Sequence, residues 1–335
     1  AVAACGREGG GCATAEWVGM GAGAGLVHRG SRFFDVRWPL SSPSSLSGRA
    51  PIALSIMRTM GNSDVQEMLF FPLLGRARAA RTWPTCFQDP WSERAVALAE
   101  AGRPGIRDKD MGEMPAAIYA LRHLAAVTEI RRYLRGHPGA AVVDLGCGLD
   151  RLIDDVGSAD GGAIVYNLDF PEVLEVRSAW MEPHEHERDL PFSLTDYRWM
   201  DEVDASDGLI AVASGVFYFL ENAEVSGLVD AMARRFPGGR LVYDAESPEM
   251  VAASERAVRE RGIDAAPMPF RVADPYAPST WSEAVSDVRV EFDLSSYALD
   301  PTMLPQAVRD GFAAMRQGEA LYEVVVDFAQ PDPAG

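Results

Sequence analysis

Positive charge is scarce in this chain. Thirty-one Lys and Arg face 49 Asp and Glu, a net charge of −18 over 335 residues. Nucleic acids and anionic membranes both call for a basic footprint, so neither is expected as a partner. Long apolar runs are missing as well: none reaches the roughly eighteen residues of a membrane span. The four cysteines, Cys5, Cys12, Cys86 and Cys147, have neither metal-ligand spacing nor the density of a disulfide framework. Their pattern predicts a reducing, cytoplasmic compartment and no metal. His184-Glu185-His186 lies on a charged stretch after Pro183, and two histidines alone cannot close a metal site. No Gly-x-x-x-x-Gly-Lys-Ser/Thr occurs, which excludes a P-loop. No Gly-x-Ser-x-Gly elbow occurs, which removes an α/β-hydrolase. The acidic pairs Asp154-Asp155 and Asp201-Glu202 are chain neighbours, so no carboxylates are set across a cleft for glycoside hydrolysis.

What is present is 47% hydrophobic residues, enough for a sizeable core. The informative segment is Ala141-Val142-Val143-Asp144-Leu145-Gly146-Cys147-Gly148-Leu149-Asp150. It has the form of a buried parallel strand running into a glycine-rich turn. A second apolar run, Ala163 to Tyr166, ends in Asn167-Leu168-Asp169. Strand, glycine turn, helix, strand and acidic residue is the layout of a nucleotide-type cofactor site. Gly146 and Gly148 let the backbone approach the ligand, and Asp169 can accept from ribose hydroxyls. A dinucleotide fingerprint needs a third small residue where this chain has Arg151, which disfavours NAD and FAD. Asp144, two positions before the first glycine, suits a cationic ligand. S-adenosylmethionine carries an ammonium and a sulfonium, and is the expected cofactor.

Along the chain, residues 1–56 stand apart. Ala1 to Gly30 is crowded with Gly and Ala, and Ser41 to Gly48 is low in complexity. The segment carries no convincing secretory signal and is expected to be a disordered or spurious extension that folding does not need. Residues 57–137 are expected to form a helical lid and a lead-in helix, and residues 138–330 the cofactor-binding core. Helices are predicted over Val65–Arg81, with Pro72 as a kink, over Trp91–Ala101 and over Met114–Arg135. Strands are predicted at Ala141–Leu145, Ala163–Leu168, Leu190–Leu194, Gly208–Ser214, Gly239–Ala245, Val288–Phe292 and Tyr322–Phe328. Helices at Arg151–Val156, Pro171–Met181, Ala223–Phe236, Pro248–Arg261 and Met303–Met315 alternate with them. The alternation predicts an α/β fold with a doubly wound, mostly parallel seven-stranded sheet. Ligands in such sheets bind beyond the carboxyl ends of the strands.

Val142 to Asp150 resembles the first motif of the leucine carboxyl methyltransferase superfamily, and its TcmP-like polyketide O-methyltransferase branch in particular. Leu168-Asp169-Phe170-Pro171-Glu172-Val173-Leu174 is similar to that family's second motif, Ser193-Leu194-Thr195-Asp196 with Trp199 to its third, and Ser214-Gly215-Val216-Phe217-Tyr218-Phe219-Leu220 to its fourth. Phe236 to Ala245 resembles the turn and strand that follow, and Asp89-Pro90, after an arginine-bearing helix, resembles the Asp-Pro of its N-terminal lid. The resemblance implies a class I methyltransferase fold and O-methylation of a carboxylate or phenol on a small molecule. It also implies that Arg122 pairs with the cofactor carboxylate. Phe170, beside the ribose-binding Asp169, joins the cofactor set. Asp196, with the Leu194 backbone, is expected at the adenine amino group. Ser214 and Gly215 are expected beside the methyl group, and Phe217 and Tyr218 against the acceptor. The family commonly has Glu where this chain has Ser214 and Arg where it has Leu152. Those departures keep open a non-catalytic S-adenosylmethionine-binding protein; the other alternative is a protein C-terminal carboxyl methyltransferase, which a basic or open groove near the lid would mark. No general base is evident, and His123 qualifies only if it faces the crevice. A carboxylate acceptor needs none.

Overall fold

In a computed structural model of the chain, residues 68–102, 104–156, 162–262 and 267–330 are described. The expected extension at residues 1–56 lies outside them. Seven strands form one sheet in the order β3-β2-β1-β4-β5-β7-β6. They are β1 Ala141–Leu145, β2 Val165–Asp169, β3 Glu187–Pro191, β4 Leu209–Ala213, β5 Arg240–Glu246, β6 Val285–Glu291 and β7 Leu321–Phe328. The first five pair in parallel; β7 runs antiparallel between β5 and β6. The sheet is doubly wound and mostly parallel, with strand order reversing between β1 and β4, where such sheets hold their ligands.

The helices are α1 Phe70–Thr82, α2 Pro90–Gly102, α3 Glu113–Leu134, α4 Ile153–Val156, α5 Pro171–Trp180, α6 Asn222–Arg235, α7 Pro248–Arg259 and α8 Gln306–Gln317. Their ends follow ordinary capping chemistry. Pro171 and Pro248 stand at first helical positions, where no N–H is needed. Ser247 Oγ accepts from Met250 N at 3.3 Å at the start of α7. Pro72 falls in the first turn of α1, among amides that need no helical partner.

β1, β2 and β4 are buried along their whole length. On one sheet face, Val142, Val165, Ile210, Val212, Val242 and Val325 pack under α3 and α4. On the other, Val143, Leu145, Leu168 and Ala211 pack with Val225, Leu228, Val229 and Met232 of α6. β3 sits three residues earlier than its predicted place. As an edge strand it tolerates Glu187, Arg188 and Asp189, so the apolar Leu190–Leu194 was a misleading guide. Helix α1 lies close on α3: a Cβ at Gly75 would sit 2.4 Å from Tyr119 Cδ2. Among the described residues no helix is long and apolar enough to cross a membrane.

Candidate functional site

At the carboxyl end of β1 the backbone turns through two left-handed glycines, Gly146 at φ 68° and Gly148 at φ 50°. L side chains avoid this region. Gly146 is also sterically required, since a Cβ there would lie 2.5 Å from Val216 Cγ2 on the loop after β4. Gly146 N and Cys147 N both donate to Leu168 O, at 2.8 and 3.1 Å, which ties the turn to the end of β2. There Asp169 completes it: Gly148 N donates to Asp169 Oδ2 at 2.8 Å and Phe170 N to Oδ1 at 2.8 Å. Each carboxylate oxygen keeps a further lone pair. Burial pushes the Asp169 carboxyl up and the two amides pull it back. Phe170, next in the chain, is half exposed where a planar group could lie over the ribose end of the site.

The outer carbonyls of this turn are taken by cations and donors from distant elements. Arg177 of α5 donates to Gly148 O at 3.1 Å and to Asp150 O. Trp91 Nε1 of α2 donates to Leu149 O at 3.0 Å. Arg76 of α1 donates to the same carbonyl at 3.4 Å and pairs with Asp89 at 2.9 Å and Asp150 at 3.2 Å. Helices α1 and α2 are thus riveted to the turn. His123 of α3 is held between Asp150 at 2.8 Å and Asp155 at 2.9 Å. Burial opposes its charge, but the two carboxylates outweigh it and push the imidazole up to about 10. With both nitrogens occupied and the proton firmly held, His123 is no base.

Asp144 lies buried beneath the turn. Burial first, then Asp150, pushes its carboxyl up to about 7, against the pull of Arg177. Its Oδ2 has no hydrogen-bond partner. A buried oxygen without a partner is costly, and a cationic ligand group above the turn would relieve it.

The carboxyl ends of β4 and β5 form the other half. Gly215, at φ 75°, donates its N–H to Asp244 Oδ1 at 2.6 Å, and Tyr218 OH donates to Asp244 Oδ2 at 2.8 Å. Arg122 Nε lies 2.7 Å from the same Oδ2. Its guanidinium stands 5.6 Å from the ring centres of both Tyr119 and Tyr218. A Cβ on Gly215 would be 2.7 Å from Arg122 Nη1. Arg122 therefore enters the crevice with one edge bound to Asp244 and its Nη atoms at Gly215, beside Ser214. Burial works against the Arg122 charge and Asp244 more than restores it, holding the group above its ordinary value.

The sequence-predicted residues divide as follows. Asp144, Gly146, Gly148, Asp169 and Phe170 come together around one turn. Arg122, Ser214, Gly215 and Tyr218 come together at the adjoining strand ends. Leu194 is buried in the core cluster, with Asp196 two residues on in the loop after β3. The Asp196 carboxylate is engaged by Arg198, whose Nε lies 2.8 Å away, and it caps the 3-10 turn Tyr197–Asp201. Phe217 requires a correction. It is fully buried against Tyr243 and Phe270, at ring distances of 5.1 and 6.1 Å, so it anchors the loop in the core and cannot line an acceptor pocket. The segment Phe236 to Ala245 supplies Asp244, the carboxylate around which the second half is built. Arg76, Arg177 and Asp244 were missed. Arg76 and Arg177 are charges among buried apolar helix residues, and Asp244 follows the apolar run Leu241-Val242-Tyr243 in a buried strand; that misplacement is the signal that could have found them.

No protein-family model matches the sequence. Over 117 residues the chain is 30% identical to the tetracenomycin polyketide synthesis O-methyltransferase TcmP of Streptomyces glaucescens, covering 35% of this chain and 43% of that protein. The chain thus spans less than half the length of this relative. The similarity agrees with the motif resemblance. Among solved structures, a DUF574 family protein from Streptomyces avermitilis aligns with a TM-score of 0.47 at 15% identity, over 77% of this chain and 97% of that one. Human N-acetylserotonin methyltransferase, crystallised with SAM, aligns with a TM-score of 0.41 at 13% identity, over 82% and 70% of the two chains.

Proposed function

We propose that the chain is an S-adenosylmethionine-dependent O-methyltransferase that acts in the cytoplasm on a carboxylate or phenol of a small molecule of polyketide kind. The observation that carries this is the Gly148–Asp169 hydrogen bond: it fixes a glycine turn and a strand-end carboxylate in one rigid unit, open to a ribose and the chain that follows it. The donor set suits the cofactor. Asp169 takes the ribose hydroxyls, and Phe170 covers the base. Asp196 and the Leu194 backbone approach the adenine amino group. Gly146 and Gly148 admit the amino-acid portion. Asp144, with its unpartnered oxygen, favours the ammonium side, and the Arg122 guanidinium offers its Nη edge to the carboxylate. When bound, the sulfonium supplies a methyl carbon already activated for in-line displacement. The chain's own task is to hold that carbon at Ser214 and Gly215, align an acceptor beside Tyr218 and exclude water under α1. The limited span shared with TcmP makes the acceptor class part of the proposal.

Calorimetric titration tests it. S-adenosylmethionine and S-adenosylhomocysteine are expected to bind and NAD is not. Asp169→Ala should weaken cofactor binding by about 2–3 kcal/mol, because two hydroxyls lose a charged acceptor, and Asp169→Asn should weaken it less. The apo melting temperature must be followed alongside, since Asp169 also holds Gly148 N. Tight NAD binding without S-adenosylmethionine binding would overturn the proposal.

A further inference from the structure

Two residues beyond Asp244, the end of β5 carries a second buried carboxylate, Glu246. Nothing in the cofactor scheme uses it. Its carboxylate accepts from Ser254 Oγ at 2.7 Å, and no other hydrogen bond reaches it among the described residues. Ser254 lies on α7 between Val251 and Val258, three and four residues away, beside Glu255, which accepts from Met268 N at 2.7 Å and is paired with Arg271. Val251 and Val258 pack with Phe71 and Met268, and Met68 and Met111 lie half buried around them. This cluster also contains Tyr218, and Tyr119 packs against it, so it borders the Arg122 end of the crevice. Methionine side chains adapt to flat aromatic bodies and make favourable sulfur–ring contacts.

The charges here are unbalanced. Asp244 and Glu246 stand against a single guanidinium, Arg122, and Asp244 already occupies its Nε edge. An anionic acceptor entering this corner would add a third negative group in a dry setting, where like charges repel strongly. A neutral hydroxyl would bring a proton that a carboxylate can take. Burial supports this chemistry, since it holds the Glu246 carboxyl above its ordinary value and so makes it a stronger base.

Building on the methyltransferase proposal, we infer that Glu246 accepts the proton of the methyl acceptor, and that this acceptor is a neutral phenolic hydroxyl on an apolar ring system, not a carboxylate. The oxygen–carbon bond forms as the carbon–sulfur bond breaks. Sulfur keeps that electron pair and becomes a neutral thioether. The hydroxyl proton passes to Glu246 and leaves through its exchange with water.

The test compares 2-naphthol with 2-naphthoate, which share a ring and differ in charge. Each is titrated by fluorescence into full-length protein saturated with S-adenosylhomocysteine at neutral pH. Naphthol is expected to bind tighter by about tenfold or more, the scale of a like-charge clash. The near-isosteric Glu246→Gln should shrink that ratio to about threefold or less with cofactor affinity unchanged, while Glu246→Asp, which keeps the charge, should preserve it. Naphthoate binding as tightly as naphthol, no naphthol binding, or an unchanged ratio in Glu246→Gln would each overturn the inference. So would equal loss in the Gln and Asp variants, or collapse of the melting temperature in both, which would assign Glu246 to packing. If S-adenosylhomocysteine itself fails to bind, the cofactor proposal falls and this inference with it. If it binds and the selectivity is absent, only the inference falls.

Discussion

The turn after β1 and the strand ends of β4 and β5 adjoin in one crevice, yet they are held in opposite ways. The turn is held by its carbonyls: Arg76, Arg177 and Trp91 reach in from three helices to take them, while Asp169 steadies the Gly148 amide. The β4 end is held by an amide: Asp244 takes the Gly215 N–H and gathers Tyr218 and Arg122 around the same carboxylate. In the first region cations organise backbone; in the second a buried anion organises side chains. A turn that must cradle a ligand with its amides gains from having its carbonyls drawn outward. A corner that must present a guanidinium gains from an anion that grips only one edge of it.

Cutting the cationic support should give the largest effect. Arg76→Ala strips Asp89 of its buried cation, leaves Asp150 with His123 alone, and releases α1 from the turn. Unfolding free energy in urea should drop by about 3–5 kcal/mol, the range for breaking a buried pair from one side. A loss below about 1 kcal/mol would mean that the turn holds itself and that the contrast is false. Next in size is the backbone of the turn. Gly146→Ala forces a Cβ into the left-handed region and against Val216, at a cost of roughly 1–3 kcal/mol in stability. Gly148→Ala meets only Leu69 Cδ2 at 3.5 Å, an ordinary contact, so it should cost less. Paired thermal melts read the difference, and equal losses would show that strain alone, not the approach of the β4 loop, sets the requirement.

Much of this was legible from sequence, and the pattern of success is physical. β1 is buried over its whole length and apolar at every position but Asp144, and its predicted bounds coincide with the observed ones. Asp169 and the glycines fall within one strand–turn–strand unit, so their meeting needs no knowledge of tertiary packing. β3 slipped because an edge strand need not be apolar. The partners that hold the site were hidden by chain distance: Arg76 meets a carbonyl 73 residues away, and Asp244 an amide 29 residues away. Even so, each left a trace. Arg177 continues the stripe of Val173, Leu174 and Val176 on α5, and Asp244 interrupts Leu241-Val242-Tyr243 in a strand buried over most of its length. A charge on a core face must find a partner, and a search for such charges would have named both. Phe217 failed in the other direction, since adjacency to a motif says nothing about which way a ring turns.

The contrast can also be sharpened by pH, because the turn covers the one carboxyl pushed up to about 7, Asp144. A native value above the unfolded one means that the folded protein binds the extra proton. Its contribution to stability is complete below about pH 4 and is lost as pH rises through about 7, with a slope near 1.4 kcal/mol per pH unit for one proton. Glu323, pushed up to about 8 by burial, adds a slope of the same sign over much of that window. The informative quantity is therefore the parent curve minus that of Asp144→Asn. The difference should fall with rising pH between about 4 and 7 and then level. A flat difference curve would show that the Asp144 charge is compensated in the apo protein.

The smallest effect should come from Asp196, which lies in neither region's support. Its carboxylate is partly exposed and bound to Arg198 on the same short turn. Such a pair contributes little, and the loss that remains is that of a cap. Asp196→Ala should therefore lower stability only slightly, the least of the variants considered. Its effect on cofactor affinity separates two arrangements. If Arg198 keeps the carboxylate, affinity for S-adenosylhomocysteine should change by less than about threefold, since a surface pair has little net charge to offer an amino group. If Arg198 swings away on binding, the carboxylate is freed for the adenine amino group, and Arg198→Ala should then strengthen binding where Asp196→Ala weakens it. The opposite signs of those two variants, read in the same calorimeter at the same salt, would bring the loop after β3 into the site as a third support.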